Sequence, residues 1–196
     1  MGKIFYIMGK SATGKDHILD RLLEQEDLQL KKLMLYTTRP MRAGEKDGEQ
    51  YYFTDEETLE AFKRKGCLIE ARSYHTVHGI WTYFTADDGR VDVGQADYLG
   101  IGTLESYLKL RDYYGENVVC PLYIEVEDGE RLSRALKREK KQENPRFEEM
   151  CRRFLADQED FSEENIQKAG ILRRFPNVDF ENCVNEIADY IRQFQK

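Results

Sequence analysis

Apolar residues in this chain fall into short continuous runs that alternate with amphipathic stretches. Residues 3–8 form a short apolar run typical of a buried strand, and residues 15–25 repeat apolar positions at helical spacing. The pattern returns later, where it predicts strands over 96–101, 118–126 and 171–175 and helices over 103–114, 128–142 and 179–194. Strands alternating with helices are typical of an α/β fold, with a parallel sheet flanked by helices.

The middle of the chain breaks this alternation. A strand is predicted over 32–36, and residues 37–93 are rich in Thr, Tyr and Gly, with a helix predicted over 55–65. We interpret 37–93 as an inserted lobe of mixed, mostly β structure, called the acceptor lobe below. The core would then comprise residues 1–36 and 94–196, within one domain spanning all 196 residues.

The helix expected after Asn144 and Pro145 has apolar residues at helical spacing. Asn144 is a suitable N-cap and Pro145 a suitable first-turn residue. The residues expected to form its buried stripe are Phe147, Met150, Phe154 and Leu155.

Charge and composition narrow the range of partners. The formal net charge is -7, which disfavours nonspecific binding to nucleic acid or anionic membranes and favours small anionic ligands held by local positive groups. No apolar run is long enough for a signal peptide or a membrane span, so we expect a cytoplasmic monomer or homodimer. Its four cysteines, Cys67, Cys120, Cys151 and Cys183, lack CxxC spacing, which predicts reduced structural thiols and no zinc site.

A glycine-rich segment, GKSATGKD, lies between the first predicted strand and helix. It has the spacing of a P-loop, in which backbone N–H groups surround phosphates and a lysine contacts the outer ones. We therefore predict an ATP site, with Lys15 on the β- and γ-phosphates. Its predicted residues are Gly9, Lys10, Ser11, Ala12, Thr13, Gly14, Lys15 and Asp16.

Asp16 departs from the P-loop pattern, which has Ser or Thr at this position. A carboxylate there is a candidate Mg²⁺ ligand, directly or through water. An alternative interpretation is that Asp16 caps the helix that begins nearby.

A second candidate phosphate site follows in residues 36–53. Arg39 and Arg42 offer guanidinium groups that pair bidentately with phosphate oxygens, and Tyr51 adds a hydroxyl. Two phosphate sites in one small domain favour phosphoryl transfer.

Residues 37–53 resemble the signature of the guanylate kinase family, Thr-Thr-Arg followed by Arg-x-Gly-Glu-x-x-Gly and Tyr-x-Phe. The resemblance implies a P-loop core, an inserted lobe that binds a nucleoside monophosphate, and a mobile helical lid over about 137–150. It implies ATP and Mg²⁺ as cofactors and GMP as the favoured acceptor. The residues implied to bind the acceptor are Thr38, Arg39, Arg42, Tyr51, Glu70, His78 and Gly79.

Several positions depart from the family pattern in the region that would contact the base. Glu70 aligns with the family's base-reading acid, but Leu35 and Ile80 replace polar residues. Gly100 and Gly102 stand at the two positions of an Asp-x-Asp motif. By the resemblance, one carboxylate linked to base recognition and another near the metal are missing, so Asp16 is hypothesised to supply the charge near Mg²⁺.

The resemblance also implies catalytic arginines in the lid. Arg138 and Arg153 match the lid arginines best, and with Lys15, Arg39 and Arg42 they complete the predicted catalytic set. Such charges would neutralise two mutually repelling anions brought into line.

Two other functions remain open at this point. Ribose bisphosphate kinases of the same fold also carry Gly-Lys-Asp in the P-loop and lack the Asp-x-Asp pair. A catalytically silent guanylate kinase-like binding module is the other alternative, although an intact Gly14-Lys15 pair favours an enzyme.

Overall fold

The computed structural model describes residues 2–76 and 79–195, and of Thr76 the backbone only. The strands are β1 Ile4–Met8, β2 Lys31–Lys32, β3 Tyr36–Thr37, β4 Tyr52–Phe53, β5 Leu68–Thr76, β6 Gly79–Ala86, β7 Tyr98–Gly102, β8 Val119–Glu125 and β9 Arg174–Pro176. The α-helices are α1 Lys15–Leu23, α2 Glu56–Arg64, α3 Leu104–Tyr114, α4 Asp128–Glu139, α5 Phe147–Asp160, α6 Glu163–Lys168 and α7 Phe180–Phe194, and a 3₁₀ turn covers Glu26–Leu28.

The core is a parallel sheet in the order β2-β7-β1-β8-β9. All five residues of β1 are buried, as expected for a central strand covered on both faces. One face packs against α1 and α7 and the other against α3 and the segment around α6. The parallel sheet with helices on both faces confirms the predicted α/β class. The loops that carry the candidate site follow the carboxyl ends of β1 and β8.

The acceptor lobe is built on a second sheet, in the order β4-β3-β6-β5. Its small core contains Tyr36, Leu59, Phe84 and Ala86. Strand β5 carries a bulge, because Leu68 faces Ala86 while Glu70 faces Thr85, and Ile69 is the extra residue. A bulge re-aims the side chains that follow it, and here it precedes Glu70.

Helix starts follow the side-chain chemistry of their first residues. Asp55, Thr103 and Asp179 each accept a hydrogen bond from the backbone N–H three residues later, at the N-caps of α2, α3 and α7. The helix predicted over 15–25 ends at Leu23, and that over 128–142 ends at Glu139.

Two predicted strands differ from the structure. The strand predicted over 32–36 is divided between two sheets, with Lys31–Lys32 in the core and Tyr36–Thr37 in the acceptor lobe. The strand predicted over 171–175 is shorter and later, Arg174–Pro176. In both cases the strand is limited to the residues that pair with a neighbouring strand, which the local pattern does not reveal.

The buried stripe predicted for α5 is wrong. Leu155 is 68% exposed and Phe147 is 43% exposed, and no residue of α5 is fully buried. Helix α5 lies over the P-loop rather than inside the core, so its apolar face is only half covered. In the part of the chain that is described, none of the helices has the length and apolar character needed to cross a membrane.

Candidate active site

The loop between β1 and α1 has the backbone geometry of a phosphate cradle. Gly9 and Gly14 have φ of 153° and 89°, which residues with a side chain rarely adopt. A Cβ on Gly9 would lie 2.4 Å from the carbonyl oxygen of Ile124, and a Cβ on Gly14 would lie 2.7 Å from Nδ2 of Asn177. Both glycines are therefore required by the path of the loop, at the amino end of a helix that favours anions.

Asn177 supports the P-loop from the far end of the sheet. This residue is 3% exposed, its Nδ2 donates to the carbonyl oxygen of Thr13 at 2.8 Å, and its backbone N–H bonds to Glu125. It follows β9 directly, so the sheet itself holds the loop in place. Sequence reasoning missed Asn177 because it lies 164 positions from its partner.

Lys15 lies where the P-loop pattern predicts. Its Nζ donates to the carbonyl oxygen of Lys10 at 3.0 Å, which folds the ammonium group over the loop. Burial lowers the pKa of Lys15, and the positive charges of Arg131 and Arg138 add to this, whereas Asp16 and Asp157 oppose it. A bound phosphate would place a negative charge beside this ammonium group and stabilise its charged form.

Asp16 is exposed in the first turn of α1 and does not cap the helix, which corrects the alternative interpretation. The N-cap is Gly14, and no side chain accepts a capping bond there. Among the described residues no three Asp, Glu, His or Cys side chains form a metal-binding group. Mg²⁺ does not need such a group, because it is commonly held by one carboxylate, water and the substrate's phosphates. Asp16 is the residue that would hold it.

A buried network ties α4 and α5 to the P-loop. Arg131, 1% exposed, donates to the Ser11 carbonyl oxygen at 2.9 Å, to Asp128 at 2.7 Å and to Asp157 at 3.3 Å. Asp157 also accepts the backbone N–H of Ser11 at 2.7 Å. Lys10 reaches the same cluster through Gln158 at 2.5 Å. The sequence patterns gave no signal for Arg131 or Asp157, because the contacts join three separate elements.

The lid arginines surround a cavity of about 160 Å³ beside the P-loop. Both predicted lid arginines line it, and so does Arg146, which sequence reasoning did not select. Arg138 is close enough to affect the pKa of Lys15, whereas Arg153 is 60% exposed and paired with Glu149 at 2.8 Å. Hydrogen bonds from Arg152 and Arg153 lower the pKa of Glu149 to about 2.

Arg39 is the most firmly held residue of the predicted acceptor site. It is 3% exposed and its guanidinium forms two hydrogen bonds to Glu45, at 3.0 and 2.8 Å. The ring faces of Tyr51 and Phe53 lie 5.7 and 5.4 Å from it. The hydrogen bonds to Glu45 raise the pKa of Arg39, so its charge is fixed at any working pH.

The other predicted acceptor residues are less constrained. Arg42 is exposed, and its backbone is fixed by its N–H, which donates to the Glu45 carboxylate at 2.7 Å, and by its carbonyl oxygen, which accepts from the Glu45 N–H at 3.1 Å. Thr38 accepts the backbone N–H of Thr82 at 2.9 Å, joining two parts of the lobe, and Gly79 is exposed at the start of β6. His78 lies outside the described residues.

Glu70 is buried at the base of the acceptor lobe, where the bulge in β5 directs it. Its carboxylate accepts from Thr85 at 3.1 Å, from the Nε–H of Arg72 at 3.2 Å and from Ser106 at 3.4 Å. The negative charge of Glu70 raises the pKa of Arg72 against the opposing effect of burial. Glu70 and four residues around it are called the base pocket below, after the base-reading role that the resemblance implies for Glu70. The four residues are Tyr6, Arg72, Thr85 and Ser106.

The acceptor lobe and the P-loop lie within electrostatic range of one another. Burial raises the pKa of Tyr51, and the negative charge of Asp16 contributes to the rise. Asp16 and Arg138 also act on the pKa of Lys15, in opposite directions. The charges of the P-loop therefore act on both the acceptor lobe and α4.

A parallel sheet and a glycine cradle with a helix behind it are typical of the class of P-loop folds. A family model described as guanylate kinase matches residues 1–82. The guanylate kinase of Aromatoleum aromaticum is 31% identical over 103 residues, 50% of each chain, and that of Nitrosomonas europaea is 36% identical over 75 residues, 38% of this chain and 37% of the relative. The chain thus matches half or less of the length of these curated relatives.

The structural comparison extends over almost the whole chain. A crystal structure of guanylate kinase from Anaplasma phagocytophilum has a TM-score of 0.64, with 21% sequence identity, and covers 99% of this chain and 86% of that one. At this identity the likeness shows the fold. The sequence matches add that the first part of the chain is similar to guanylate kinases.

Proposed function

We propose that this protein is an ATP-dependent kinase that transfers the γ-phosphoryl group to a nucleoside monophosphate. The observation that supports this most is the glycine cradle with Lys15 beside a cavity lined by Arg138, Arg146 and Arg153, together with the buried Arg39 of the acceptor lobe. The similarity to guanylate kinases supports it independently. GMP is the first acceptor to test, because the relatives' names indicate it.

The reaction would depend on position and charge. ATP is bound by the P-loop N–H groups and Lys15, and the acceptor phosphate by Arg39, Arg42 and Tyr51. The attacking phosphate oxygen already carries negative charge, so a strong general base is not required. Mg²⁺ would supply charge neutralisation at the phosphates, with Asp16 as its protein ligand.

The lid residues would complete the donor site. Arg138, Arg146 and Arg153 surround the cavity beside Ser11, and their positive charges favour a triphosphate there. Closure of the lid and the acceptor lobe would exclude water and limit hydrolysis of ATP.

The experiment is a coupled assay of ADP release with ATP, Mg²⁺ and single acceptors: GMP, dGMP, IMP, XMP, AMP, UMP, CMP and ribose bisphosphate. We expect phosphorylation of at least one nucleoside monophosphate. Lys15→Met is expected to abolish it, whereas Lys109→Met, an exposed lysine on α3, should leave it unchanged. Phosphorylation of ribose bisphosphate alone, or ATP binding without any transfer, would contradict the proposal.

A second variant tests the acceptor site. Arg39→Lys keeps the charge but loses the planar fork, so we expect KM for the acceptor to rise by about tenfold or more with KM for ATP unchanged. An equal effect on both KM values would show that Arg39 does not serve the acceptor.

A further inference from the structure

Among the described residues of the base pocket, Glu70 supplies the one carboxylate, and it already accepts from Thr85, Arg72 and Ser106. A carboxylate offers about four lone-pair positions, so about one remains for a ligand. A single buried acceptor with so little free capacity is poorly suited to a ligand edge that carries two donor groups.

Arg72 supplies the free donors. It lies two residues from Glu70 on β5, so both side chains are on the same face of the strand. Only its Nε–H is bonded to Glu70, and within the described residues its two terminal NH₂ groups have no hydrogen-bond partner. The side chain is 18% exposed, against 4% for Glu70, so those NH₂ groups are the accessible part of the pair.

Tyr6 prevents this pocket from gaining a second carboxylate. Its ring lies over Gly100 and Gly102, where an added Cβ would be 2.8 Å from Cδ2 of Tyr6 and 2.0 Å from its hydroxyl oxygen. The hydroxyl is buried and lies near Ser106. Burial raises the pKa of Tyr6, as does the charge of Glu70, so the phenol keeps its proton.

Guanine does not match this arrangement. Its pairing edge has one carbonyl acceptor and two donor groups, N1–H and the 2-amino group, and the one carboxylate of the described pocket has little free capacity for the second donor. A cyclic imide has one N–H between two carbonyl oxygens. Its N–H can donate to Glu70, while its oxygens accept from the NH₂ groups of Arg72.

We propose that the base pocket selects nucleoside monophosphates with an imide edge, such as those of xanthine or uracil, over GMP. Arg72 is the specificity-determining residue that contacts the base, and Tyr6 is a positioning residue that keeps positions 100 and 102 free of acceptors. This inference rests on the proposed function and narrows its acceptor class.

XMP and GMP provide a matched pair, because they differ only at the 2-position of the purine. We expect kcat/KM for XMP or UMP to exceed that for GMP by about tenfold or more, the cost of an unpaired donor. A higher value for UMP than for XMP identifies a pyrimidine acceptor, and the reverse a purine acceptor. A value for GMP within about tenfold of both overturns the proposal.

Variants assign the selectivity to individual residues. Arg72→Gln removes the charged donors, so the ratio of kcat/KM for the preferred imide to that for GMP should fall by about tenfold or more. Arg64→Gln, an exposed arginine on α2 of the same lobe, is the control and should not change the ratio. An unchanged ratio in Arg72→Gln, in protein with a wild-type melting temperature, overturns the role of Arg72.

Binding without ATP separates this proposal from the proposed function. Calorimetric Kd values for XMP, UMP and GMP need no turnover, and the preferred imide should bind at least about tenfold more tightly than GMP. If nothing is phosphorylated but this order holds, the kinase function fails and the pocket's selectivity stands. If transfer occurs and GMP binds as tightly as both imides, only the selectivity fails.

Discussion

At the scale of single residues, Lys15 has the least usual environment of the donor site. Its ammonium group is buried against the carbonyl oxygen of Lys10, and burial is the main reason that its pKa lies below that of an exposed lysine. Bound phosphates favour the charged form and would raise the pKa again. Protonation of Lys15 and ATP binding are therefore coupled.

The coupling predicts that ATP affinity decreases as the pH rises through the pKa of Lys15 in the free protein. ATP binding at alkaline pH should take up a proton, because the bound state keeps the ammonium form. Calorimetry in buffers of different ionisation enthalpy measures this uptake. Lys15→Arg stays charged and should show none; equal uptake in wild type and variant would contradict the assignment.

The pair of Tyr6 and Gly102 offers a second prediction for individual side chains. Gly102→Ala places a Cβ against the Tyr6 hydroxyl, and overpacking of this kind costs about 1–3 kcal/mol of unfolding free energy. In a Tyr6→Leu background the same substitution should cost less, because the phenol is absent. Urea unfolding of the four proteins in this double-mutant cycle gives the coupling, and additive effects would refute the proposed contact.

At the scale of secondary-structure elements, the P-loop is held from two directions. Asn177 links it to the end of β9, and Arg131 and Asp157 link it to α4 and α5. Asp157 accepts a backbone N–H of Ser11, at the edge of the proposed phosphate site. The position of α5 is thus coupled to the shape of the loop that would bind ATP.

Removal of the link to β9 should weaken both folding and nucleotide binding. Asn177→Ala leaves the Thr13 carbonyl oxygen without this partner, which costs about 1–3 kcal/mol. We expect a lower urea midpoint and weaker ATP binding in a titration. Asn182→Ala, an exposed asparagine on α7, is the matched control, and equal effects of the two substitutions would rule out a specific role for Asn177.

Sequence reasoning succeeded where the chemistry is local. The glycines of the P-loop are recognisable because their spacing reflects the φ angles that the loop requires, and Lys15 follows them directly. It failed for Arg131, Asn177 and Asp157, whose partners are distant along the chain. The stripe of α5 was mispredicted at Leu155 because periodicity shows that a helix is amphipathic but not what covers it.

Tyr6 shows a second limit of prediction from the sequence alone. In the pattern it is one apolar residue of a buried strand, and its 0% exposure agrees with that. Its effect on the base pocket becomes visible only when β7 is placed beside β1, with Gly100 opposite Tyr6. The absence of side chains at positions 100 and 102 then has a steric explanation.

At the scale of the whole molecule, the account depends on two anion sites that face one space and bind two phosphorylated ligands together. The P-loop and α1 belong to the core, whereas Arg39 and Tyr51 belong to the acceptor lobe, beside β3 and β4. The effect of Asp16 on the pKa of Tyr51 places the two parts within electrostatic range. A ligand that contains both nucleotides should therefore engage both sites at once.

The most direct measurement is the calorimetric Kd of adenosine joined to a second nucleoside, guanosine, xanthosine or uridine, through five phosphates. We predict that at least one of these compounds binds about 100-fold or more tightly than ATP, because the second site is engaged intramolecularly. Lys15→Met and Arg39→Lys should each remove most of this gain. If none of the three compounds binds more tightly than ATP, the two sites do not act on one bound ligand and the account is wrong.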